Sequence, residues 1–281
     1  WSSDVCSSDL FWEASGSVTV TGTPAIQLSG TAFMSSFGAP ALVTINGDVT
    51  VGGTAAFFDI SADDHWTING NLQTTGGGVL RMNQVTDTLE VNGNVSFGGG
   101  DESTQLTAGQ LFVSGNFSQT GLATSFVGTG SHIVFLDGAG AQTISFQTPG
   151  FTQSRFQNVI IANTTGGVTV GSDVFTVGTA GVVPGVPRIL SGSGQTLFTT
   201  ILNVSGFTFN NLLLNFTGST VATFDTVTFQ GYAPTATPLT IVHPGAAAPL
   251  PFQDVVFTVT PTTGFYLDAT DSNPTDGVPL V

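Results

Sequence analysis

The chain has 281 residues, of which 40% are hydrophobic and only 7% are charged. Three arginines and no lysine stand against 18 carboxylates, so the formal charge is −15, and the cationic cluster that nucleic acids or anionic lipids require is missing. The apolar fraction suffices for a folded core, and no run of 18 apolar residues predicts a transmembrane helix.

Residues 1–10 share no pattern with the remainder of the chain and contain its single cysteine, Cys6. We interpret this decapeptide as a scar of sequence joining or a disordered lead-in and exclude it from the fold. The body that follows has neither lysine nor cysteine, which favours an exported or surface protein of bacteria over a disulfide-stabilised one. The chain does not begin with methionine, so we expect it to be part of a longer protein.

One short pattern recurs along the first half of the chain. Its first copy, at Val18 to Gly22, is degenerate, because Pro24 follows where an apolar residue is expected. The regular copies carry glycines 23, 23, 22 and 23 residues apart, namely Gly47, Gly70, Gly93, Gly115 and Gly138. In three copies asparagine precedes the glycine, at Asn46, Asn69 and Asn92. A fixed period of this size predicts stacked repeats over residues 11–150.

Within each copy apolar residues alternate with Thr, Ser, Asn or Asp, which is the pattern of a strand with one buried face. Asn-Gly tolerates positive φ, so we expect the chain to turn a corner there. In an antiparallel sandwich or meander each Asn-Gly would be a hairpin turn. In a parallel β-solenoid each repeat would be one coil, and only this fold explains the near-constant spacing. We therefore predict an all-β, right-handed parallel β-helix with coils of about 22–25 residues. The antiparallel sandwich or meander is the alternative.

Glycine-rich segments between the copies predict further corners, at residues 52–53, 76–78 and 98–100. Short apolar segments predict one more strand in each coil, at residues 55–58, 79–80 and 105–106. The acidic residues Asp59, Asp63 and Asp64 and the neighbouring His65 are expected on a connecting loop.

From about residue 150 the register drifts, and residues 151–265 predict an irregular continuation of the solenoid. A motif of Phe, two mostly polar residues and an apolar segment recurs there, beginning at Phe156, Phe209, Phe224 and Phe252. The 23 phenylalanines of the chain are expected to form stacked aromatic columns inside the solenoid. Residues 232–251 are rich in Pro and Ala and predict a long interruption, and residues 266–281 predict an acidic linker or tail.

The Val-x-Gly-Asn-Val repeats, as at Val91 to Val95, and the Phe-x-Asn-Val-x-Ile motif at Phe156 to Ile161 resemble the parallel β-helices of bacterial surface and secreted proteins. These include haemagglutinin-like adhesins and autotransporter passengers. The resemblance covers roughly residues 16–260 and is compositional and periodic. It implies an elongated, extracellular, modular protein and carries no catalytic signature.

Two groups of acidic residues are candidate sites. Asp59, Asp63 and Asp64 could supply the paired carboxylates of glycoside hydrolysis, but the Gly-His-Gly and Arg-x-Lys patterns of polygalacturonases are missing, and we favour a solvated acidic turn. A calcium site is the second candidate, although its spacing matches no EF-hand. Its oxygen ligands would be Asp268, Asp271, Asn273 and Asp276. No other cofactor is expected.

Our first functional hypothesis is a non-enzymatic structural or adhesive segment of a secreted or cell-surface bacterial protein, acting as an elongated presentation scaffold. The alternative is a carbohydrate-active or carbohydrate-binding β-helix, similar to polysaccharide hydrolases or lyases. A polysaccharide or a host or cell-surface ligand is the expected partner, nucleic acid is not, and further domains are expected to flank the chain. The expected location is extracellular or at the cell surface.

Overall fold

Parallel strands form the regular structure of the chain. The computed structural model describes residues 10–13, 17–37, 42–60, 63–163, 165–182, 188–205 and 207–216, and the short segments 223–225, 228–230, 239–242, 252–253, 256–257 and 267–268. Across these ranges there are 29 strands, numbered β1 to β29 along the chain, and no helix. Every strand pairing in these ranges is parallel.

The described strands form three sheets that run side by side along the stack. The first sheet has 14 strands: β2 (Ser17–Thr21), β5 (Leu42–Asn46), β8 (His65–Ile68), β11 (Thr88–Val91), β13 (Gln110–Val113), β15 (Ile133–Leu136), β17 (Asn158–Ile161), β19 (Val174–Val182), β21 (Thr196–Ser205), β23 (Leu213–Phe216), β24 (Thr223–Asp225), β26 (Leu239–Val242), β27 (Phe252–Gln253) and β29 (Leu267–Asp268). The second sheet has 11 strands: β3 (Ile26–Leu28), β6 (Val49–Val51), β9 (Leu72–Thr75), β12 (Val95–Gly98), β14 (Phe117–Gln119), β16 (Gln142–Phe146), β18 (Val168–Val170), β20 (Arg188–Ser191), β22 (Phe207–Asn210), β25 (Thr228–Gln230) and β28 (Val256–Phe257). The third sheet has four strands: β1 (Leu10–Glu13), β4 (Phe33–Phe37), β7 (Phe57–Ile60) and β10 (Val79–Met82).

Consecutive coils stack residue on residue in the register that the repeat predicts. Trp66 of β8 lies opposite Val43 below and Leu89 above, and Leu89 lies opposite Leu111. The backbone N–H of Asn69 donates to the Ile45 carbonyl of the preceding coil at 2.8 Å, so Asn-Gly closes no hairpin. The predicted parallel β-helix is confirmed, and the antiparallel alternative is wrong.

The core lies between the sheets and consists of the inward-facing apolar columns. In β8 and β11 buried residues alternate with partly exposed ones. Ile45, Ile68 and Val91 stack in one column and are 0%, 0% and 1% exposed. Each fully buried aliphatic side chain of this kind stabilises the fold by about 1.5–3 kcal/mol, so the columns are the main source of stability.

The Asn corner joins the first sheet to the second and consists of residues 46–48, 69–71 and 92–94. Two ladders of side chains run along it. In one, Asn69 Nδ2 donates to Asn46 Oδ1 at 2.6 Å and Asn92 Nδ2 donates to Asn69 Oδ1 at 2.7 Å. In the other, the backbone N–H of Asn94 donates to Asn71 Oδ1 at 2.8 Å, so side chains satisfy backbone groups that the sheets leave free at the turn.

The glycines of this corner are required mainly because backbones approach closely there. Gly93 N donates to the Gly70 carbonyl at 3.0 Å, and a Cβ on Gly93 would lie 2.5 Å from that oxygen. The sequence predicted a corner at each Asn-Gly step because this pair tolerates positive φ. Of these three glycines only Gly47 has a positive φ, of 144°, whereas the φ of Gly70 and Gly93 lies outside the left-handed region.

The phenylalanines depart from the predicted interior columns. Buried rings meet at an angle, as Phe117 does with Phe97 (38°) and Phe126 (77°). Parallel stacking occurs on the outside, where Phe112 and Phe135 of adjacent coils have ring centroids 4.4 Å apart and an interplanar angle of 7°. Equivalent outward positions in neighbouring strands favour this arrangement.

Beyond residue 136 the coils change length, but the first two sheets continue. A longer corner at residues 137–142 is filled by Gln142, whose side-chain nitrogen donates to the Val113 and Gly115 carbonyls, each at 2.7 Å. Two later copies of the phenylalanine motif stack in register, with Phe224 opposite Phe252 and Phe229 opposite Phe257. The strand β26 lies within residues 232–251, for which the sequence predicts a loop.

Replacing Ile68 with Asp should lower the free energy of unfolding by several kcal/mol, because the new carboxylate would be buried without a partner. Urea denaturation measures this change. The matched control is Thr44→Asp, which adds the same charge on the outward face of β5 and should change stability little. Equal stabilities for the two variants would contradict the assigned inward column.

Replacing Gly93 with Ala should destabilise the fold by about 2 kcal/mol, because the added methyl group overlaps the Gly70 carbonyl. Gly140→Ala is the control, since a Cβ at Gly140 meets nothing within 4 Å. The midpoints of thermal unfolding of the two variants should differ clearly. A Gly93→Ala variant as stable as Gly140→Ala would show that coil contact at the corner is looser than described.

Candidate functional site

The acidic segment at residues 59–65 is divided between a strand and a corner. Asp59 lies in β7 and is only 2% exposed. Its carboxylate forms an ion pair with Arg81 of the next coil, whose Nε donates to Oδ1 at 2.7 Å and whose second guanidinium nitrogen contacts Oδ2. Ser35 of the preceding coil donates to Asp59 Oδ2 at 3.2 Å. The hydrogen bond with Asp59 raises the pKa of Arg81, so the guanidinium stays protonated.

The other two aspartates lie at the corner before β8. Asp63 is exposed, has a positive φ of 64° and accepts a hydrogen bond from Thr86 of the next coil. Asp64 is fully buried and accepts a bond from the Trp66 indole nitrogen at 3.3 Å. The predicted solvated acidic loop is therefore wrong for Asp59, which is in a strand and paired with a cation, and for Asp64, which is inside the corner. His65 is the first residue of β8, not a loop residue.

A buried polar column continues from Asp64 along this corner and was missed by the sequence analysis. It consists of the residues immediately before four successive strands of the first sheet, β8, β11, β13 and β15, namely Asp64, Asp87, Gly109 and His132, of which Gly109 contributes only its backbone. The carbonyls of these residues accept hydrogen bonds from Thr88, Gln110, Ile133 and Asn158 in the following coils. Aligning the repeats on the residue before each strand would have revealed the column.

Asp87 is fully buried and has no cationic partner among the described residues. Its Oδ2 accepts hydrogen bonds from the backbone nitrogens of Gln84 (2.9 Å) and Asn83 (3.3 Å), whereas Oδ1 has no hydrogen-bond partner within the described chain. Burial raises the pKa of Asp87 to about 6, and the nearby Asp64 adds to the effect. Asp87 is therefore half protonated near pH 6 and mostly ionised at neutral pH.

Two further buried groups titrate abnormally for the same reason. Burial raises the pKa of Glu102 well above its ordinary range, although one carboxyl oxygen accepts a bond from Leu80 N at 2.9 Å. Burial lowers the pKa of His132 to about 3, and neither ring nitrogen has a hydrogen-bond partner within the described residues. His132 packs edge-on against Phe126, so it behaves as a neutral core residue.

These groups do not assemble into a catalytic pair. The carboxylate of Asp59 is neutralised by Arg81, that of Asp64 is bonded to an indole, and only Asp63 of the three faces solvent. Within the described ranges, no group of three His, Cys, Asp or Glu side chains is placed to hold a metal ion. Of the calcium candidates, Asp268 ends β29, whereas Asp271, Asn273 and Asp276 lie outside the described residues.

The outer faces of the two long sheets differ in chemistry. On the first sheet a half-buried apolar strip crosses β13, β15 and β17 and consists of Phe112, Ile133, Phe135 and Ile160. Because Phe112 and Phe135 cover each other's ring faces, they present ring edges to solvent. On the second sheet one outward column contains only uncharged polar side chains, namely Gln27, Thr50, Gln73, Ser96, Ser118 and Ser145.

A small apolar cavity of about 20 Å³ lies inside the coils near β17 and β19. It opens where Ala180 follows Val159 in an inward column. Its lining is aliphatic apart from Gly181 and offers no polar group that would orient a ligand. Among the described residues no helix has the length and apolar character needed to cross a membrane.

Comparisons of the chain with protein-family models, with curated proteins and with solved structures found no match. The class that the structure defines is the parallel β-solenoid, and this assignment rests on strand order and register alone.

Acidification should stabilise the wild type relative to an Asp87→Asn variant. Asp87 binds its proton more tightly in the folded chain than in the unfolded chain, where the pKa of Asp is about 3.9. The cost of burying its charge is therefore fully present above pH 6 and disappears as the pH falls from about 6 to about 4. The asparagine keeps an oxygen for the Gln84 and Asn83 nitrogens. Urea denaturation of both proteins at several pH values measures the difference.

His132 provides a control of opposite sign. Its pKa is about 3 in the folded chain and about 6.5 when exposed, so it reduces stability as the pH falls below about 6.5. In a His132→Leu variant this loss should vanish while the contribution of Asp87 remains. A stability difference between wild type and Asp87→Asn that is constant from pH 4 to pH 8 would contradict the assignment.

Proposed function

We propose that the chain is a non-enzymatic structural and adhesive segment of a secreted or cell-surface bacterial protein. The observation that carries this proposal is the in-register stacking of coils, which displays each outward residue beside its equivalent in the next coil. Such a body presents extended surfaces with few residues per coil, and every added coil lengthens it by about 4.8 Å. A scaffold that holds binding surfaces away from a cell needs these properties.

The apolar strip on the first sheet supports an adhesive role. Phe112 and Phe135 already stack on each other with ring centroids 4.4 Å apart, so binding would immobilise few additional side-chain torsions. The outward residues of β13, β15 and β17 are uncharged, so repulsion from a negatively charged surface is weaker at this face than the net charge of −15 alone would cause. We assign the contact with a host or cell-surface ligand to this strip.

A carbohydrate-binding role is the second candidate, and the uncharged column on the second sheet favours it. Hydroxyl and amide groups at regular spacing suit hydrogen bonding to the hydroxyl groups of a neutral polysaccharide. The enzymatic form of this candidate is less well supported, because Asp59, its most promising carboxylate, is buried in an ion pair with Arg81.

A retention assay separates these roles. The chain is coupled to beads, which are tested for retention on cell surfaces and on neutral and acidic polysaccharides, with and without calcium, while released sugar is measured. We expect retention without sugar release. A Phe112→Ser and Phe135→Ser double variant should lose most of the retention, and the matched outer-face control Ser96→Ala and Ser118→Ala should keep it.

In the opposite pattern, only the Ser96→Ala and Ser118→Ala variant loses retention on polysaccharide. That result would replace the adhesive assignment with the carbohydrate-binding one. Release of sugar would support the enzymatic alternative. Absence of retention by the folded chain on every surface would overturn the adhesive proposal.

A further inference from the structure

The three Asn-Gly steps of the Asn corner are alike in sequence but differ in their hydrogen bonds. Asparagine followed by glycine is chemically labile, because the glycine nitrogen can reach the side-chain carbonyl carbon without obstruction from a Cβ atom. After this N–H loses its proton to water or hydroxide, the nitrogen attacks Cγ and a ring forms. The bond from Cγ to Nδ2 breaks, and ammonia leaves. Water then opens the ring and leaves aspartate or isoaspartate.

Two features of the ladder control this reaction. Negative charge develops on Oδ1 when the nitrogen attacks, so an N–H donor to Oδ1 stabilises the transition state. Nδ2 is the leaving group, so a hydrogen bond that Nδ2 donates must be broken before ammonia departs.

In Asn46 both Oδ1 and Nδ2 have the hydrogen-bonding state that favours the reaction. Its Oδ1 accepts the Asn69 side-chain N–H at 2.6 Å, and its own Nδ2 donates no hydrogen bond to another side chain in the described part of the structure. The side chain is exposed, so water reaches it. Asn46 is therefore activated for attack and free to release ammonia.

Asn69 and Asn92 are progressively less favourable. Asn69 Oδ1 accepts from Asn92, but Asn69 Nδ2 is held by Asn46. Asn92 Nδ2 is held by Asn69, and the attacking nitrogen, that of Gly93, already donates to the Gly70 carbonyl at 3.0 Å. In the coil above Asn92, Ser114 takes the place of asparagine, and its hydroxyl donates to Asp137 instead.

An aspartate encoded in the sequence already occupies the equivalent corner position in a later coil. Asp137 precedes Gly138 in the same corner column and accepts a hydrogen bond from Ser114 Oγ at 3.1 Å. An aspartate at residue 46 would accept the Asn69 N–H in the same way, now as a charge-assisted bond.

From this geometry we propose that Asn46 is a self-modification site that deamidates in the folded chain, with reactivity decreasing from Asn46 to Asn69 to Asn92. The reaction adds one negative charge at the edge of the corner without an enzyme. It provides the corner with a slow, irreversible chemical change that depends on the ladder.

Peptide mapping by mass spectrometry during incubation at mildly alkaline pH tests the proposal. In the folded protein Asn46 should be converted at least about fivefold faster than Asn92, which is the rate factor of roughly one hydrogen bond. In urea the three sites should react at similar rates, because the ladder is lost. This comparison is made within one molecule and needs no variant.

Two variants then identify the cause. Asn69→Ala removes the donor to Asn46 Oδ1 and should slow deamidation of Asn46 about fivefold. Asn92→Ala leaves that donor in place, so Asn46 should react as in the wild type while Asn69 is slowed. Equal rates at the three sites of the folded protein, or an Asn46 rate unaffected by Asn69→Ala, would overturn the proposal. Circular dichroism confirms that each variant is folded.

Discussion

Close contact between successive coil backbones is the constraint on which the structure depends. Inter-coil hydrogen bonds form only if each coil returns the chain to the same position one strand spacing further along. At the Asn corner this brings the Gly70 carbonyl to where a Cβ of Gly93 would be, so glycine is the only residue that fits. The near-constant repeat length follows from the same requirement, because extra residues must be accommodated within a corner, as at residues 137–142, if the strands on either side are to keep their pairing.

Backbone hydrogen-bonding groups are satisfied differently along the sheets and at the corners. Along the sheets backbone groups bond to neighbouring strands, and the inward positions can be wholly apolar. Where N–H groups are left without a strand partner, buried acids accept hydrogen bonds from them. Asp87 accepts from the nitrogens of Gln84 and Asn83, and Glu102 from that of Leu80. Burial raises the pKa values of these acids, and neither has an ion-pair partner among the described residues.

The stacking columns could be predicted from sequence because alternation and period are properties of a linear pattern. For example, moving one repeat along the sequence from Trp66 leads to Leu89, which is its partner in the next coil. The environment of Asp59 could not be predicted in this way, since it depends on Arg81 in the next coil of a third sheet whose strands have a weak pattern. Likewise, Asn-Gly suggests positive φ from local preference, whereas the contact that requires Gly93 comes from a different coil.

Regular stacking also restricts what kind of site the molecule can have. A catalytic centre needs unlike side chains to converge on one point, whereas a repeat places like beside like, as in the column of Thr50, Gln73 and Ser96. Recognition by such a surface is distributed and gains strength from many similar contacts. Unlike residues converge at only a few described places, as Asp59 does with Arg81 and Ser35. The longer corner at residues 137–142 is such a place, since Gln142 and Asn163 form a buried amide network there, but its side chains are bonded to one another. The physics of the stack therefore favours binding by faces over chemistry at a point.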